Sequence, residues 1–203
     1  TLGNLSKLQY LNLSQNKLTG EIPSELGNLN IYRLNLEFNQ LSGKIPPELG
    51  NLINLVNLDL ESNELSGHIP SSLGSLSKVL EIDLHNNQLS GTLPTTLGGW
   101  ESLEKLNVTN NQFSGKIPNQ LGELTNLTSV NLSFNNFEGG IPEKLLKIEK
   151  LESLLIHVNN LSGTIPPDFC DLDNAIKILI YGNSFCPPYP PCIKFIGKQT
   201  CED

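Results

Sequence analysis

The stretch LSQNKLTGEIPSELGNL, residues 13–29, recurs along the chain with small changes. It returns as LEFNQLSGKIPPELGNL at residues 36–52 and as LESNELSGHIPSSLGSL at residues 60–76. The asparagine of each copy marks the period, which is 23 residues once and 24 residues six times: Asn16, Asn39, Asn63, Asn87, Asn111, Asn135, Asn159 and Asn183. A fixed period of this length is typical of solenoid proteins. The 203-residue chain therefore holds seven units and a truncated eighth.

Each column of the repeat predicts a local structure. Apolar residues lie three and five positions before the asparagine, as with Leu60 and Leu58 before Asn63. A spacing of two predicts a strand with one buried face, and one strand per unit predicts a parallel sheet. The asparagine amide can donate to and accept from backbone groups of the following turn, so we expect a buried ladder of asparagines. A glycine four residues later predicts positive φ or too little room for a β-carbon.

Two departures from the repeat carry predictions of their own. Trp100, the only tryptophan, occupies a column otherwise held by leucine and isoleucine. We therefore interpret it as a core side chain and not as a platform for a ligand. The sixth unit lacks the usual Leu-Gly pair and carries Lys144, Leu145 and Leu146 instead. These are good helix formers, which predicts a better helical turn there than in the other units.

The complete pattern, LxxLxxLxLxxNxLSGxIPxxLGxL, resembles the plant-type extracellular leucine-rich repeat. That family includes receptor-kinase ectodomains and polygalacturonase-inhibiting proteins, and the resemblance covers residues 1 to about 185. It implies an α/β solenoid: a right-handed superhelix with a parallel concave β-sheet, and with 3₁₀ turns and short second strands on the convex side. It also implies a non-catalytic protein that binds a peptide, a protein or a glycan on the concave face.

Composition limits the partners and the domain organisation. With 13 basic and 21 acidic residues the net charge is −8, which disfavours nucleic acid. No apolar run approaches the roughly 18 residues of a membrane span. We expect one elongated domain of repeats at residues 1–185 and a C-terminal cap at residues 186–203. The chain begins inside a unit, so an N-terminal cap is expected to be absent or trimmed, and the uncovered coil could support self-association.

The four cysteines lie within the last 34 residues, at Cys170, Cys186, Cys192 and Cys201. This grouping predicts a disulfide-bonded cap, and the absence of a CxxC pair disfavours a zinc site. Four cysteines allow three pairings that the sequence does not decide between. We favour Cys170–Cys192 with Cys186–Cys201.

Six Asn-x-Ser/Thr sequons agree with an extracellular location, whether secreted or at the cell surface. Some of them arise from the repeat consensus itself. Three of them fall in the strands that carry the concave face, where we expect glycosylation less: Asn12, Asn107 and Asn131. The others are better candidates: Asn4, Asn126 and Asn160.

The outward-facing strand positions provide the candidate ligand-binding residues. An acidic patch is expected on units two to four, together with one histidine: Glu37, Asp59, Glu61, Asp83 and His85. An apolar and aromatic surface is expected on units six to eight: Phe134, Leu155, His157 and Tyr181. Asp59 and Asp83, about 5 Å apart on neighbouring strands, could resemble a glycosidase pair. We expect an open sheet to leave their pKa values unshifted, so we predict no enzyme, no cofactor and no metal.

Three classes of function follow from these residues. A recognition module is favoured by the family resemblance. A structural protein that stacks end to end would use the N-terminal coil. An ice-binding surface requires regular polar columns, which the acidic and bulky residues of this chain interrupt.

Overall fold

The computed structural model describes residues 5–172, 177–193 and 196–201, and these form a solenoid built from two eight-stranded parallel sheets. The concave sheet contains β1 (Tyr10–Asn12), β3 (Arg33–Asn35), β5 (Asn57–Asp59), β7 (Glu81–Asp83), β9 (Lys105–Asn107), β11 (Ser129–Asn131), β13 (Ser153–Leu155) and β15 (Lys177–Leu179). The second sheet contains β2 (Thr19–Glu21), β4 (Gln40–Lys44), β6 (Glu64–Gly67), β8 (Gln88–Gly91), β10 (Gln112–Lys116), β12 (Asn136–Gly139), β14 (Asn160–Gly163) and β16 (Ser184–Phe185). Short 3₁₀ helices complete the coils at Ser24–Asn28, Pro47–Asn51, Ser71–Ser75, Thr95–Gly99, Asn119–Glu123, Glu143–Lys147 and Pro167–Cys170.

The concave strands pair in the register that the repeat predicts. Each strand has its middle residue turned inward, and equivalent residues face each other across neighbouring strands, as Leu34 faces Leu58 and Leu58 faces Ile82. These middle residues are fully or almost fully buried from β3 to β13. The predicted alternation, parallel sheet and solenoid are therefore confirmed.

The asparagine column forms the predicted ladder. In the fourth unit the Asn87 amide nitrogen donates to the carbonyls of Leu60 and Leu84, at 3.0 and 3.2 Å. The Asn87 carbonyl oxygen accepts the backbone N–H of Leu65 at 3.0 Å. From Asn39 to Asn183 each such asparagine bonds its own turn and the preceding coil, which joins neighbouring units through buried or half-buried polar groups.

Glycines fall into two columns with different roles. The glycine after the asparagine, as at Gly67, adopts a φ of 77°, which confirms the expected positive φ. The glycine of the Leu-Gly pair allows a close approach instead, because a β-carbon on Gly50 would lie 2.4 Å from the Ser72 carbonyl oxygen of the next coil. The 3₁₀ helices can therefore stack closely only where this position lacks a side chain.

The single 23-residue spacing is absorbed at one joint. Most coils turn between the 3₁₀ helix and the concave strand through a bond such as Leu55 N–H to the Leu52 carbonyl, at 2.8 Å. In the short coil, Leu29 is extended, with φ −78° and ψ 161°, whereas Leu52 has ψ 57°. The straightened joint spans the missing residue, and β3 keeps its register with β1.

The structure bears on both departures from the repeat consensus, Trp100 and the sixth unit. Trp100 is fully buried and its indole N–H donates to the Leu73 carbonyl at 2.7 Å, which confirms a core role. The prediction of a better helical turn in the sixth unit is wrong, because Glu143–Lys147 is a five-residue 3₁₀ helix like its neighbours. Leu145 and Ile148 are buried in the stacked core, and the fixed spacing of those two positions outweighs local helix propensity.

The C-terminal cap is closed by two disulfides, Cys170–Cys192 and Cys186–Cys201, which is the pairing favoured from the sequence. Cys170 ends the last 3₁₀ helix, so one disulfide ties the final coil to the cap. Further along, the backbone N–H of Gly182 donates to the Lys198 carbonyl at 2.8 Å. The cap residues near Lys198 therefore lie against the end of β15.

Candidate functional site

The third residue of each concave strand has a structural task that the sequence does not predict. In the first six units this residue is asparagine or aspartate, and its side-chain oxygen accepts the backbone N–H two residues further on, at 2.9–3.2 Å. This bond closes the turn after the strand. The seventh and eighth units carry Leu155 and Leu179 there, and a leucine side chain offers no acceptor.

An acidic cluster lies at the ends of β5 and β7 and in the turns that follow β3, β5 and β7, and it consists of Glu37, Asp59, Glu61, Asp83 and His85. The His85 Nδ1 atom is 2.7 Å from the Asp83 carboxylate and 3.1 Å from that of Glu61. Glu37, Asp59 and Glu61 bring carboxylate oxygens within 4.8 Å of one another, and so do Glu61 and Asp83 with the His85 nitrogen. The structure therefore brings together all five predicted residues of this patch.

Crowding shifts the proton affinity of this cluster. Burial raises the pKa of Asp59 to about 7 from its ordinary value of 3.8, with further increases from Glu37 and Asp83 and an opposing effect of the Glu61 backbone N–H. Burial also raises the pKa of Glu61, against the opposing charge of His85. The expectation that an open sheet leaves carboxylate pKa values unshifted is therefore wrong for Asp59.

Asp59 also has a structural role that requires no reaction. Its carboxylate is already engaged in the turn bond to Glu61 N–H at 3.2 Å, and asparagines perform the same task elsewhere in the column. Structural networks of charge shift pKa values as well as active sites do. Asp59 thus combines a structural role in the turn with a place in a crowded carboxylate cluster, where Glu37 is a side-chain hydrogen-bond partner that also raises the pKa of Asp59.

An aromatic cluster lies four coils towards the C-terminus, at Phe134, His157 and Tyr181, with Leu155 and Leu179 beside it. The Phe134 ring meets the His157 ring edge-on, with centroids 5.2 Å apart. The Tyr181 ring lies 4.7 Å from His157 on the other side. Phe134 and Tyr181 are 47% and 41% exposed, whereas His157 is only 7% exposed. His157 is thus the buried centre of this surface. The rings of Phe134 and Tyr181, on either side of His157, form the apolar part that is exposed to solvent.

The environment of His157 keeps the imidazole neutral. Its Nδ1 atom is buried without a hydrogen-bond partner among the described residues. Burial lowers the pKa of His157, and the charge of Lys177 lowers it further. The next residue, Val158, has a φ of 54°, a strained value for a β-branched side chain. The equivalent residue of the six preceding coils has the same positive φ, so this backbone conformation belongs to the repeat, and it is the unpaired buried nitrogen that draws attention to this cluster.

A hydrogen-bonded polar zone separates the two clusters. The Thr109 hydroxyl lies 2.7 Å from that of Ser133, and the Ser133 hydroxyl donates to the Asn131 side chain at 2.6 Å. The Asn107 amide nitrogen donates to Asp83 at 3.1 Å. These groups are therefore hydrogen-bonded to one another within the protein.

The same bonds bear on the predicted glycosylation sites. Asn107 uses its amide nitrogen within the protein, and so does Asn126, which donates to the Glu101 carbonyl at 3.0 Å. Asn12 and Asn160 are exposed. Asn4 lies outside the described residues. Occupancy of each sequon stays a prediction.

A second apolar surface was not predicted from the sequence. The residues directly before β3, β5 and β7 are Tyr32, Val56 and Leu80, which we call the edge stripe. Tyr32 and Leu80 are 38% and 37% exposed, and the Tyr10 ring lies 6.2 Å from the Tyr32 ring. The column lies outside the two-residue alternation of the strands, so the repeat pattern gives no orientation for it.

Comparisons with known proteins agree with this architecture. Models of the leucine-rich repeat family match residues 53–113, and also residues 7–29, 30–52, 126–148 and 150–172. No curated protein sequence matches the chain. Within the described part of the chain, no helix has the length and apolar character needed to cross a membrane.

Several solved structures resemble the chain. The plant peptide hormone receptor RGFR1 in complex with RGF2 is 36% identical, with a TM-score of 0.89, over 91% of this chain and 30% of the receptor chain. The Arabidopsis receptor kinase HAESA ectodomain in complex with an IDA peptide hormone is 37% identical, with a TM-score of 0.82, over 91% and 32%. A plant ice-binding protein is 24% identical, with a TM-score of 0.77, over 98% and 74%, and at that identity the likeness shows the fold alone. The chain thus spans about a third of the two receptor chains.

Proposed function

The chain belongs to the plant-type extracellular leucine-rich-repeat family, and on that premise we propose that it is a non-catalytic module that binds an extended peptide on its concave face. Peptides are the ligands named for the two receptor structures above, which favours them over a folded protein or a glycan. The same ligand class suits a receptor ectodomain and a secreted binding protein.

The aromatic cluster is the observation that carries this proposal. Leu155 and Leu179 occupy a column whose asparagine or aspartate closes the turn in six other units. Giving up that bond twice in succession places two half-buried aliphatic side chains in the outward column near His157 and Tyr181, and of the two Leu179 also lines a pocket with the cap residues Ile196 and Gly197. An exposed apolar surface with aromatic anchors is typical of a binding site.

The acidic cluster supports an extended ligand with a basic segment. Asp83 on β7 and Leu155 on β13 are three strands apart, or roughly 14 Å at about 4.8 Å per strand. An extended chain advances about 3.3 Å per residue, so a basic residue and an apolar anchor some four residues apart would reach both. The acids should mainly accelerate association, and the aromatic cluster should slow dissociation.

The test begins with a screen of synthetic secreted-type peptides against the purified chain, and then compares variants by surface-based kinetics. We expect Leu155→Asp to raise the dissociation rate about tenfold or more, because it places a charge in the apolar contact. Asn131→Asp, in the same column one strand away, is the matched control. Glu61→Lys combined with Asp83→Lys should lower the association rate, most clearly at low salt.

Results of two kinds would contradict the proposal. A peptide that binds the Leu155→Asp variant and the double lysine variant with wild-type kinetics would place the site elsewhere. Concentration-dependent assembly of the isolated chain, measured by sedimentation, combined with no peptide binding would favour the structural alternative. Ice-growth inhibition would favour the ice-binding alternative, although the acids and aromatic rings interrupt its polar columns.

A further inference from the structure

The edge stripe places one apolar side chain per coil on three successive coils. The backbone N–H of Val56 donates to the Tyr32 carbonyl and that of Leu80 to the Val56 carbonyl, both at 2.8 Å. The three residues are therefore held in a regular row, with a spacing of about 4.8 Å. The equivalent residues of the next three units are polar: Glu104, Thr128 and Glu152. The row is thus limited to the coils of β3, β5 and β7, because the first coil has the polar Gln9 in this column.

The acidic cluster lies on the same three coils, at the opposite ends of the same strands. Val56 precedes Asp59 by three residues and Glu61 by five, which corresponds to about 10 and 16 Å along the strand. Between the two rows lie the first strand residues, where the Asn57 amide donates to Glu81 at 3.0 Å. An apolar row and an anionic row therefore run parallel, across the strands and along the solenoid.

We propose that this pair of rows docks a basic amphipathic helix of a partner protein, with its apolar side on Tyr32, Val56 and Leu80 and its lysine or arginine side towards Asp59, Glu61 and Asp83. The surface lies outside the aromatic cluster of the peptide site and shares with it only the acidic residues. Its occupant is deduced from spacing and from charge.

The spacing selects a helix over a strand. A helix laid along the solenoid advances about 5.4 Å per turn, which is close to the 4.8 Å between coils, so that one apolar residue per turn meets one side chain of the stripe. In an extended chain, side chains on one face are about 6.6–6.8 Å apart, because they alternate between the two faces. They would therefore no longer align with the stripe residues after two coils. A helix diameter of about 10 Å also matches the separation of the two rows.

Charge complementarity favours a helix with one basic side and indicates which strands that side faces. The carboxylates of this surface face His85, and Arg33 is the cation at the start of β3. Lys105 lies 3.8 Å from Glu81 at the β9 side. A positive flank is therefore favoured along β5 and β7, and it is disfavoured beside Arg33.

The experiment uses the full chain and two synthetic peptides of about 15 residues, a length at which isolated helices begin to form. One peptide carries leucine once per turn with lysine on the adjacent flank, and the other has the same composition in an order that disperses both. Fluorescence anisotropy should detect binding of the first peptide at least about tenfold tighter than of the second. Val56→Asp with Leu80→Asp should weaken that binding about tenfold or more, and Thr128→Asp, in the same column outside the stripe, should leave it unchanged.

Folding of the variants is checked by thermal melting, and the milder Tyr32→Ser and Leu80→Ser changes serve if the aspartates unfold the chain. Equal affinity for both peptides would reduce the effect to net charge and overturn the proposal. Failure of the ordered peptide to bind would also overturn it. If Leu155→Asp abolished binding of the ordered peptide and the stripe variants did not, the helix would bind at the aromatic cluster, and the proposal for the edge stripe would be wrong. The proposed peptide site is tested separately. Its test measures how Leu155→Asp changes the dissociation rate of a different ligand, the extended peptide found in the screen.

Discussion

At the scale of single residues, the asparagine ladder concentrates stability in one side chain per coil. Asn87→Ala should lower the free energy of unfolding by about 1–3 kcal/mol, because the Leu65 N–H and the Leu60 carbonyl lose their partner at a half-buried site. Urea denaturation measures this cost. The adjacent Gln88→Ala, at an exposed position, should cost about 0.5 kcal/mol or less. Equal costs for the two variants would refute the ladder as a source of stability.

Asp59 provides a pH-dependent prediction at the same scale. Its pKa is about 7 in the folded chain against an ordinary value of 3.8, so the folded chain binds more protons than the unfolded chain between these values. Stability contributed by Asp59 should therefore fall as the pH rises through that window. Asn35 shows that asparagine makes the same turn bond. Asp59→Asn should thus stabilise the chain by about 1 kcal/mol at pH 8, a figure reduced for solvent screening.

The control for this prediction is the pH profile itself. Near pH 4 the wild type and Asp59→Asn should have similar stability, because Asp59 is protonated in the folded state and carries no charge. The exposed Glu64→Gln variant should follow the wild type at both pH values. A stabilisation by Asp59→Asn that is the same at pH 4 and pH 8 would exclude the charge as its cause.

Sequence reasoning reaches some residues and misses others for identifiable reasons. The ladder follows from an asparagine at a fixed period, whereas the turn bonds of Asn35 and Asp59 require the path of the chain after the strand. The left-handed backbone at Phe38, Phe134 and Val158 was also missed, with φ values of 51–54°. These residue types disfavour that conformation, so only the constraint of the stacked turns explains it.

At the scale of elements, stacking of the 3₁₀ helices depends on a small residue at one position. A β-carbon on Gly50 would lie 2.4 Å from the Ser72 carbonyl oxygen, whereas one on Gly98 would lie 3.5 Å from Gln120. Gly50→Ala should therefore cost about 1–3 kcal/mol through overpacking. Gly98→Ala, in the same column two coils on, should be neutral or slightly stabilising. Thermal melts of the pair test this, and similar melting temperatures would show that the coils can separate freely.

The elements themselves were predicted well where tertiary position and local pattern agree. Strand and turn positions follow from the period because every coil repeats the same buried spacing. The sixth unit shows the limit, since its helix-forming residues adopt the same five-residue 3₁₀ helix at Glu143–Lys147. Packing against the neighbouring coils on both sides fixes the length of that segment. The helix propensity of one unit is therefore not enough to lengthen its helix.

At the scale of the whole molecule, the two disulfides should protect the C-terminal coils. Reduction breaks Cys170–Cys192 and Cys186–Cys201, and stability in stacked repeats is transmitted mainly between nearest neighbours. Hydrogen exchange after reduction should accelerate first at β13 and β15, and later or not at all at β5. Uniform acceleration along the solenoid would show that the chain unfolds as one cooperative unit.

The candidate site was predictable in position and not in detail. The period alone places Asp59 beside Asp83, and Tyr181 beside His157, because residues in one column are neighbours on adjacent strands. It does not reveal that His157 is buried between Phe134 and Tyr181, which depends on the orientation of both rings. The edge stripe was missed for a similar reason, since its column precedes the strands.

The straightened joint at Leu29 has a consequence for how such a chain can change in length. Loss of one residue there left the pairing of β1 with β3 intact, so chain length at this joint is uncoupled from alignment of the coils. Elsewhere in the coil, a one-residue deletion would shift a strand and turn its buried side chains to solvent. Insertions and deletions of single residues among related chains should therefore occur mainly between the 3₁₀ helix and the concave strand. Elsewhere, insertions and deletions should have the length of a whole coil. That joint is accordingly a place to attach a peptide tag or a reporter without shifting the register of either sheet.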